Sequence, residues 1–85
     1  EVFSHTNLFP NPTAGLLTIQ HPAGESLELE LADLSGKIVL RRRLDFTTER
    51  SILDISTALP GMYLLTLRHA KSGQAMQVKV VKVRG

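Results

Sequence analysis

The residues that could carry out chemistry are three histidines, with serines and aspartates spread between them. His5, His21 and His69 are not spaced like the ligands of a local metal site. No Gly-x-Ser-x-Gly nucleophile motif and no glycine-rich phosphate loop accompanies them. The chain has no cysteine, which excludes thiolate ligands and a disulfide framework. We therefore predict no catalytic residues, no metal site and no cofactor.

The densest run of charge is Arg41-Arg42-Arg43. Such a cluster could bind an anionic surface such as lipopolysaccharide, or an acidic loop of a protein. The alternative is a solvated strand end beside Glu28 and Glu30, where ion pairs contribute only about 0–1 kcal/mol. No aromatic residues are interleaved with the arginines and the formal net charge is only +2, so we expect no nucleic-acid partner.

A second candidate site is the basic and apolar run near the end of the chain. Its members are Lys79, Val80, Val81, Lys82, Val83 and Arg84. An accessible strand of this kind can be threaded, or can add to the edge of another sheet. The alternative is an ordinary final strand with its polar residues in water. Lys82 is then expected at the surface, where Lys82→Ala changes stability by roughly 0.5 kcal/mol or less.

The elements that position these residues are strands, because apolar and polar residues alternate at period two. The clearest case is residues 26–33, where three leucines alternate with Glu28 and Glu30. Asp33 and Gly36 then supply the chemistry of a tight turn, with room for a bulge. In the following strand Arg42 falls on the same side as Ile38, Leu40 and Leu44. Either Arg42 lies at the rim of the sheet, or the buried side switches along the strand.

The last third of the chain has the pattern of a β-hairpin with one buried face. Pro60 and Gly61 end the preceding element, and Tyr63 begins a run with alternate apolar residues. A polar turn containing Gly73 leads to the final strand, in which Val80 is on the apolar face. Short strands at a spacing of about 8–12 residues predict an all-β antiparallel sandwich of about seven strands.

The length and composition fit one small domain with an aliphatic core. No apolar run approaches the roughly 18 residues that a membrane span requires. The chain does not begin with Met and has no signal peptide at its start. We expect it to be a piece of a longer protein, and the C-terminal end of that protein.

Four motifs, in order, resemble those of the C-terminal sorting domain of type IX secretion cargo from Bacteroidetes. The first is Leu8-Phe9-Pro10-Asn11-Pro12, similar to a (Tyr/Phe)-Pro-Asn-Pro opening. The second is Asp33-Leu34-Ser35-Gly36-Lys37 with its flanking strands. The third combines Asp54-Ile55-Ser56 with Leu59-Pro60-Gly61-Met62-Tyr63, and the fourth is the basic and apolar tail.

The resemblance covers almost the whole chain and implies an immunoglobulin-like β-sandwich that serves as a secretion signal. On this basis residues 1–7 are a linker from the parent protein, and residues 8–85 are the sorting domain. The motif residues expected to serve the fold are Pro10, Asn11, Pro12, Asp33, Ser35, Gly36, Gly61 and Tyr63. Gly36 and Gly61 are expected to meet backbone requirements, and Tyr63 to pack in the core with its hydroxyl at the rim.

The partners that the resemblance implies are the type IX outer-membrane translocon and surface sortase components. Cargo passes through the periplasm to the cell surface or the medium, where a sortase-like peptidase removes the domain and links the cargo to lipopolysaccharide. Residues 79–84 become the predicted site of translocon recognition. Two alternatives stay open: an immunoglobulin-like structural or adhesion module, and a retained domain that anchors a surface component. Exposed edge strands could also pair between chains.

Overall fold

The structure, a computed structural model, describes residues 3–44 and 47–84 and contains strands and no helix in those residues. The prediction of an all-β fold of about seven strands is therefore confirmed. The strands are β1 (Asn7–Phe9), β2 (Leu16–Gln20), β3 (Leu27–Asp33), β4 (Ile38–Arg43), β5 (Arg50–Asp54), β6 (Gly61–His69) and β7 (Ala75–Lys82).

The strands form two antiparallel sheets, one of three strands and one of four. The small sheet has the order β1-β2-β5 and the large sheet the order β4-β3-β6-β7. Buried side chains from both sheets belong to one hydrophobic cluster, so the sheets are the two layers of a β-sandwich. β7 and β4 are the edge strands of the large sheet, and β1 and β5 those of the small one.

The core is mainly aliphatic, as the composition predicts, and every second residue of the central strands points into it. In β3 the side chains of Leu27, Leu29 and Leu31 are fully buried, whereas Glu28 is exposed. Leucines from β6, together with Leu17 and Ile19 of β2 and Val80 of β7, complete this face-to-face packing. The alternation in the sequence therefore identified the buried face of these strands correctly.

Tyr63 packs in the core, and its hydroxyl donates a hydrogen bond to the backbone carbonyl of Leu59, four residues earlier. This matches the expected position with the hydroxyl at the rim. A tyrosine bonded back to the preceding turn is a recurring feature of immunoglobulin-like sandwiches. The bond ties the loop before β6 to the strand that it enters.

The β3–β4 hairpin has the predicted tight turn and a bulge. The backbone N–H of Gly36 donates to the Asp33 carbonyl at 3.0 Å, and Gly36 adopts a φ of +91° that side chains disfavour. The pairing register shifts between Leu31 and Ala32. Arg42 lies opposite Leu29 on the inward face but is exposed, because β4 is an edge strand. Of the two alternatives, the position at the rim is the one observed.

The amino-terminal residues contribute to the core before β1 begins. Phe3 is buried in the hydrophobic cluster, and its carbonyl accepts a hydrogen bond from the N–H of Thr6. The predicted boundary between a linker and the domain at residue 8 stays a prediction, but part of the segment ahead of it packs on the domain. Among the described residues, no helix has the length and hydropathy to cross a membrane.

Candidate functional site

The tail, residues 79–84, forms the end of β7 and continues past it. Its residues alternate between the two faces of the large sheet: Val80 is fully buried and Lys79 is exposed. Val83 is 42% exposed and Arg84 is exposed, while Val81 is half-buried. The side chains that the tail offers to a partner are therefore those of Lys79, Val81, Val83 and Arg84.

Lys82 is not a surface residue, and the expectation that placed it there is wrong. Its relative exposure is 5%, because the period of two puts it on the same inward face as Val80. Gly61 lies opposite Lys82 on β6, and Thr13 bridges to it from the other side. An aliphatic lysine stem in such a position covers the end of the core.

The outer edge of β7 is bound by the side chain of Asn11. The amide nitrogen Nδ2 of Asn11 donates to the carbonyl of Lys79 at 2.7 Å. The amide oxygen Oδ1 accepts from the backbone N–H of Val81 at 3.0 Å. The side-chain amide thus supplies one donor and one acceptor, as a neighbouring strand would.

Thr13 continues the same edge with its backbone. Its N–H donates to the Val81 carbonyl at 2.9 Å, and its carbonyl accepts from the Val83 N–H at 2.8 Å. The Thr13 hydroxyl donates to the carbonyl of Leu16 at 2.7 Å and accepts from the N–H of Gly15 at 3.1 Å. Thr13 is 1% exposed, so this polar residue has a fully bonded position inside the fold.

The segment of residues 10–13 therefore joins the small sheet to the tail. Pro10 and Pro12 are exposed on either side of Asn11, and both X-Pro peptide bonds, at Phe9 and at Asn11, are cis. We name residues 10–13 the tail-binding segment. Thr13 was missed in the sequence analysis because nothing in its neighbours indicates a partner nearly seventy residues away. The only available signal was its place directly after the Pro-Asn-Pro motif.

The remaining motif residues lie near the tail on the large sheet. Asp33, Tyr63 and Val80 are paired in one row across β3, β6 and β7. Gly61 lies beside Lys82 in the next row and has a φ of +152°, a conformation in which a side chain is strained. The structure thus places the second, third and fourth motifs at one end of the sandwich.

Two of the motifs contain the same local structure, an aspartate that accepts bonds from the serine two residues later. Asp33 Oδ1 accepts from the N–H and the hydroxyl of Ser35 at 2.9 and 2.6 Å, and from the N–H of Lys37 at 3.0 Å. Asp54 Oδ1 accepts from the Ser56 N–H at 2.9 Å. Both turns face a cleft of about 370 Å³ whose lining includes Asp33, Asp54 and Tyr63.

These hydrogen bonds favour the ionised carboxylates. The bond from the Ser35 hydroxyl, followed by that from the Lys37 backbone, holds the pKa of Asp33 below its ordinary value. The bonds from the Ser56 side chain and backbone, with a smaller contribution from the Arg42 charge, lower the pKa of Asp54 in the same way. Both aspartates stabilise turns, and the donors of each turn bind the ionised carboxylate.

His21 and His69 each bond to a serine hydroxyl, whereas His5 lies with His21 at a cleft whose lining also includes Glu25. His21 is buried, and its Nε2 is 2.8 Å from the Ser51 hydroxyl. His69 lies between Glu25, at 2.5 Å from Nε2, and the Ser72 hydroxyl, at 2.7 Å from Nδ1. Within residues 3–44 and 47–84 no group of three metal-binding side chains is gathered.

The Glu25–His69–Ser72 chain has the residue types of a catalytic triad, and the spacing of these residues in the sequence did not predict it. The Ser72 hydroxyl oxygen also accepts a bond from the N–H of Gln74 at 3.1 Å. The Gly73 N–H donates to the His69 carbonyl at 2.9 Å, so these residues form one bonded turn between β6 and β7. These hydrogen bonds hold the turn between β6 and β7 in place, and that structural role explains why Glu25, His69 and Ser72 lie together.

A family model described as a secretion system C-terminal sorting domain matches residues 7–83, nearly the whole chain. No curated protein matches the sequence.

Proposed function

This chain belongs to the family of secretion system C-terminal sorting domains, signals of type IX secretion, and from that membership we propose that the translocon recognises the exposed face of its tail. The protein that carries the domain is thereby exported to the cell surface or the medium, and the domain interacts with the secretion system. The contacts between the tail-binding segment and β7 support a recognition site that consists of the folded end of β7 and the segment bound to it.

The single observation that carries the proposal is the pair of bonds between Asn11 and β7. They occupy the carbonyl of Lys79 and the N–H of Val81, while Thr13 occupies the carbonyl of Val81 and the N–H of Val83. A partner therefore finds the outer backbone edge over these residues already bound. What it can contact are side chains, including the cationic ones of Lys79 and Arg84, along a strand whose backbone the tail-binding segment holds from residue 79 to residue 83.

The test is export of a fluorescent reporter, directed to the periplasm and fused to residues 1–85, in a host with type IX secretion. The decisive variant is Lys79→Glu with Arg84→Glu, because both side chains are exposed. The matched control is Lys71→Glu with Arg68→Glu, which makes the same change of charge at other exposed positions. Thermal unfolding of each purified domain shows whether a variant still folds.

We expect the tail variant to stay in the periplasm and the control to be exported, with similar melting temperatures. Export of both variants at the wild-type level would refute the tail as the recognition site. Failure of the wild-type fusion to leave the periplasm, while the domain is folded, would instead favour an immunoglobulin-like structural or adhesion module. Deletion of residues 80–85 is a poorer test, since Val80 and Lys82 are both buried.

We further propose that the domain carries no catalysis of its own and is removed after export. In this proposal the cargo passes through the periplasm, a sortase-like peptidase at the surface cuts ahead of the domain, and the cargo is joined to lipopolysaccharide. Family membership supports these steps. The intact mass of the surface-exposed parent protein tests them: loss of the domain plus a heterogeneous added mass is expected. A mature protein that keeps the domain would overturn removal and favour a retained domain that anchors a surface component.

A further inference from the structure

The two sides of the sandwich differ in how the gap between the sheets is closed. On the β7 side, residues 10–13 cross from the small sheet and bind the outer edge of β7. On the other side lie β4 and β5, which are edge strands of different sheets. We call this second side the β4–β5 side.

Backbone groups on this side point away from their sheets. The Leu44 N–H donates to the Leu27 carbonyl, so the alternation of an antiparallel ladder turns the N–H and C=O groups of Arg41 and Arg43 outward. The Ile55 N–H donates to the Gly15 carbonyl, and the same alternation turns the N–H and C=O groups of Ile52 and the N–H of Arg50 outward. The outward carbonyl of Arg50 already accepts a hydrogen bond from the Thr48 hydroxyl at 3.0 Å. Such groups are templates for an extended segment of another chain.

A cleft of about 270 Å³ opens between the two strands and has a cationic rim. Arg42, Arg43 and Arg50 line it above the apolar side chains of Leu44 and Leu53. No acidic residue from the described part of the chain is among its lining, although the Asp54 carboxylate is near enough for the Arg42 charge to lower its pKa. Arg43 has an ion pair with Glu28, but at 3.8 Å and with both side chains largely exposed, so that pair is weak.

We propose that the β4–β5 side binds an acidic, extended peptide segment of a partner protein. The segment pairs with the outward backbone groups of Arg41 and Arg43, and its carboxylates bind the guanidinium groups of Arg42 and Arg50. Arginine binds carboxylates through two parallel hydrogen bonds, which gives this contact geometric specificity. The site is independent of the tail and extends the function proposed above.

The positive charge of the cleft, together with the outward backbone groups, distinguishes an acidic peptide from a second copy of this chain and from an anionic lipid surface. A second copy of this chain would bring its own arginines to the edge of β4, and like charges directly opposite each other are unfavourable. An anionic lipid surface would use the guanidinium groups and leave the outward backbone groups unpaired. An acidic strand uses both sets of groups.

The experiment is a titration of 15N-labelled chain, followed by NMR, with a short capped peptide of alternating glutamate and valine. We expect saturable shifts of the amides of Arg41, Arg43, Arg50 and Ile52, and none at Gln77 on the opposite edge. The matched peptide with lysine in place of glutamate is expected not to bind. Binding of the acidic peptide should weaken with added salt.

The variant that tests the site is Arg42→Glu with Arg50→Glu, and its control is Arg68→Glu with Lys71→Glu. Both pairs lie at exposed positions and change the net charge equally. The first should weaken peptide binding by about tenfold or more, as expected when charge pairs across an interface are reversed. The second should leave it unchanged, and circular dichroism checks that both fold.

Equal binding by the two variants, or shifts that map to another surface, would overturn the proposal. Binding of the lysine peptide at a similar affinity would do the same. If anionic lipid vesicles cause the shifts and the acidic peptide does not, the cleft is a lipid-headgroup site and the peptide proposal fails. Loss of export in a tail variant that still binds the acidic peptide would show that the two sites are separate.

Discussion

The two lysines of the tail show how position on a strand decides what a residue does. Lys79 and Lys82 have the same chemistry, but they are three positions apart on the strand, so their side chains point to opposite faces of the sheet. Lys79 faces water and Lys82 faces the end of the core. Lys79→Ala should change the free energy of unfolding by roughly 0.5 kcal/mol or less. Lys82→Ala removes a buried aliphatic stem and should cost about 1–3 kcal/mol, at roughly 0.8 kcal/mol for each buried methylene.

Urea denaturation of the two variants beside the wild type measures this difference. Equal stabilities for all three proteins would mean that the Lys82 stem packs on nothing. A Lys82→Met variant is the internal check, because it keeps an apolar stem of similar length. It should recover most of the stability that the alanine variant loses.

The two turn aspartates give a pH-dependent prediction at the same scale. Because the folded-state pKa of Asp33 is lowered, its bonds stabilise the fold above the unfolded-state pKa, and the gain is lost as the pH falls through the folded-state pKa. Ser35→Ala removes the largest cause and should raise the pKa of Asp33 toward its ordinary value. The pKa of Asp54 should stay where it is, since its partner is Ser56.

NMR titration of the two carboxyl groups measures both pKa values in one sample. The stability difference between wild type and Ser35→Ala should be present at neutral pH and should vanish in strong acid. A pKa of Asp33 that does not move on substitution would show that the serine hydroxyl is not its main partner.

At the scale of elements, the sequence predicted which side chains share a face better than it predicted which strands lie at an edge. Alternation placed Leu27, Leu29 and Leu31 correctly, because burial of one face is a local property of a strand. The position of β4 at the edge, and the bonds of Asn11 to β7, depend on how distant strands are arranged. The alternation at period two also places Lys82 on the buried face with Val80. The expectation that Lys82 lies at the surface followed from its charge alone.

The bonds of Asn11 make the last strand dependent on the amino-terminal segment. Asn11→Ala should leave the Lys79 carbonyl and the Val81 N–H to water, at a cost of about 1–3 kcal/mol for the two neutral bonds. Asn11→Asp is the sharper variant, because a carboxylate keeps the acceptor for Val81 but loses the donor for Lys79. Hydrogen exchange should accelerate at the Val81 amide in the alanine variant and much less in the aspartate variant.

The amide of Leu65, in the middle of β6, serves as the reference in that experiment, since it reports global opening. Acceleration at Leu65 equal to that at Val81 would mean that the bond supports the entire fold rather than the strand end. An unchanged rate at Val81 in the alanine variant would show that the side-chain bond does not protect the edge.

At the scale of the whole molecule, the question is whether the secretion signal is the folded surface or the sequence of the tail. Leu29 and Leu65 are fully buried, so replacing either with alanine should cost about 2–5 kcal/mol. A small domain has a total stability of about 5–15 kcal/mol, so combining the two substitutions should leave much of the chain unfolded at growth temperature. Neither change touches residues 79–84.

The folded-surface proposal therefore predicts that the Leu29→Ala, Leu65→Ala double variant is not exported, although its tail sequence is intact. The Leu34→Ala variant is the control, because Leu34 is 72% exposed and its truncation should cost roughly 0.5 kcal/mol or less. Reporter export and urea midpoint are measured for each variant. Export of an unfolded double variant at the wild-type level would mean that the translocon binds the tail as a linear sequence. The bonds of Asn11 and Thr13 would then stabilise the fold without presenting the signal.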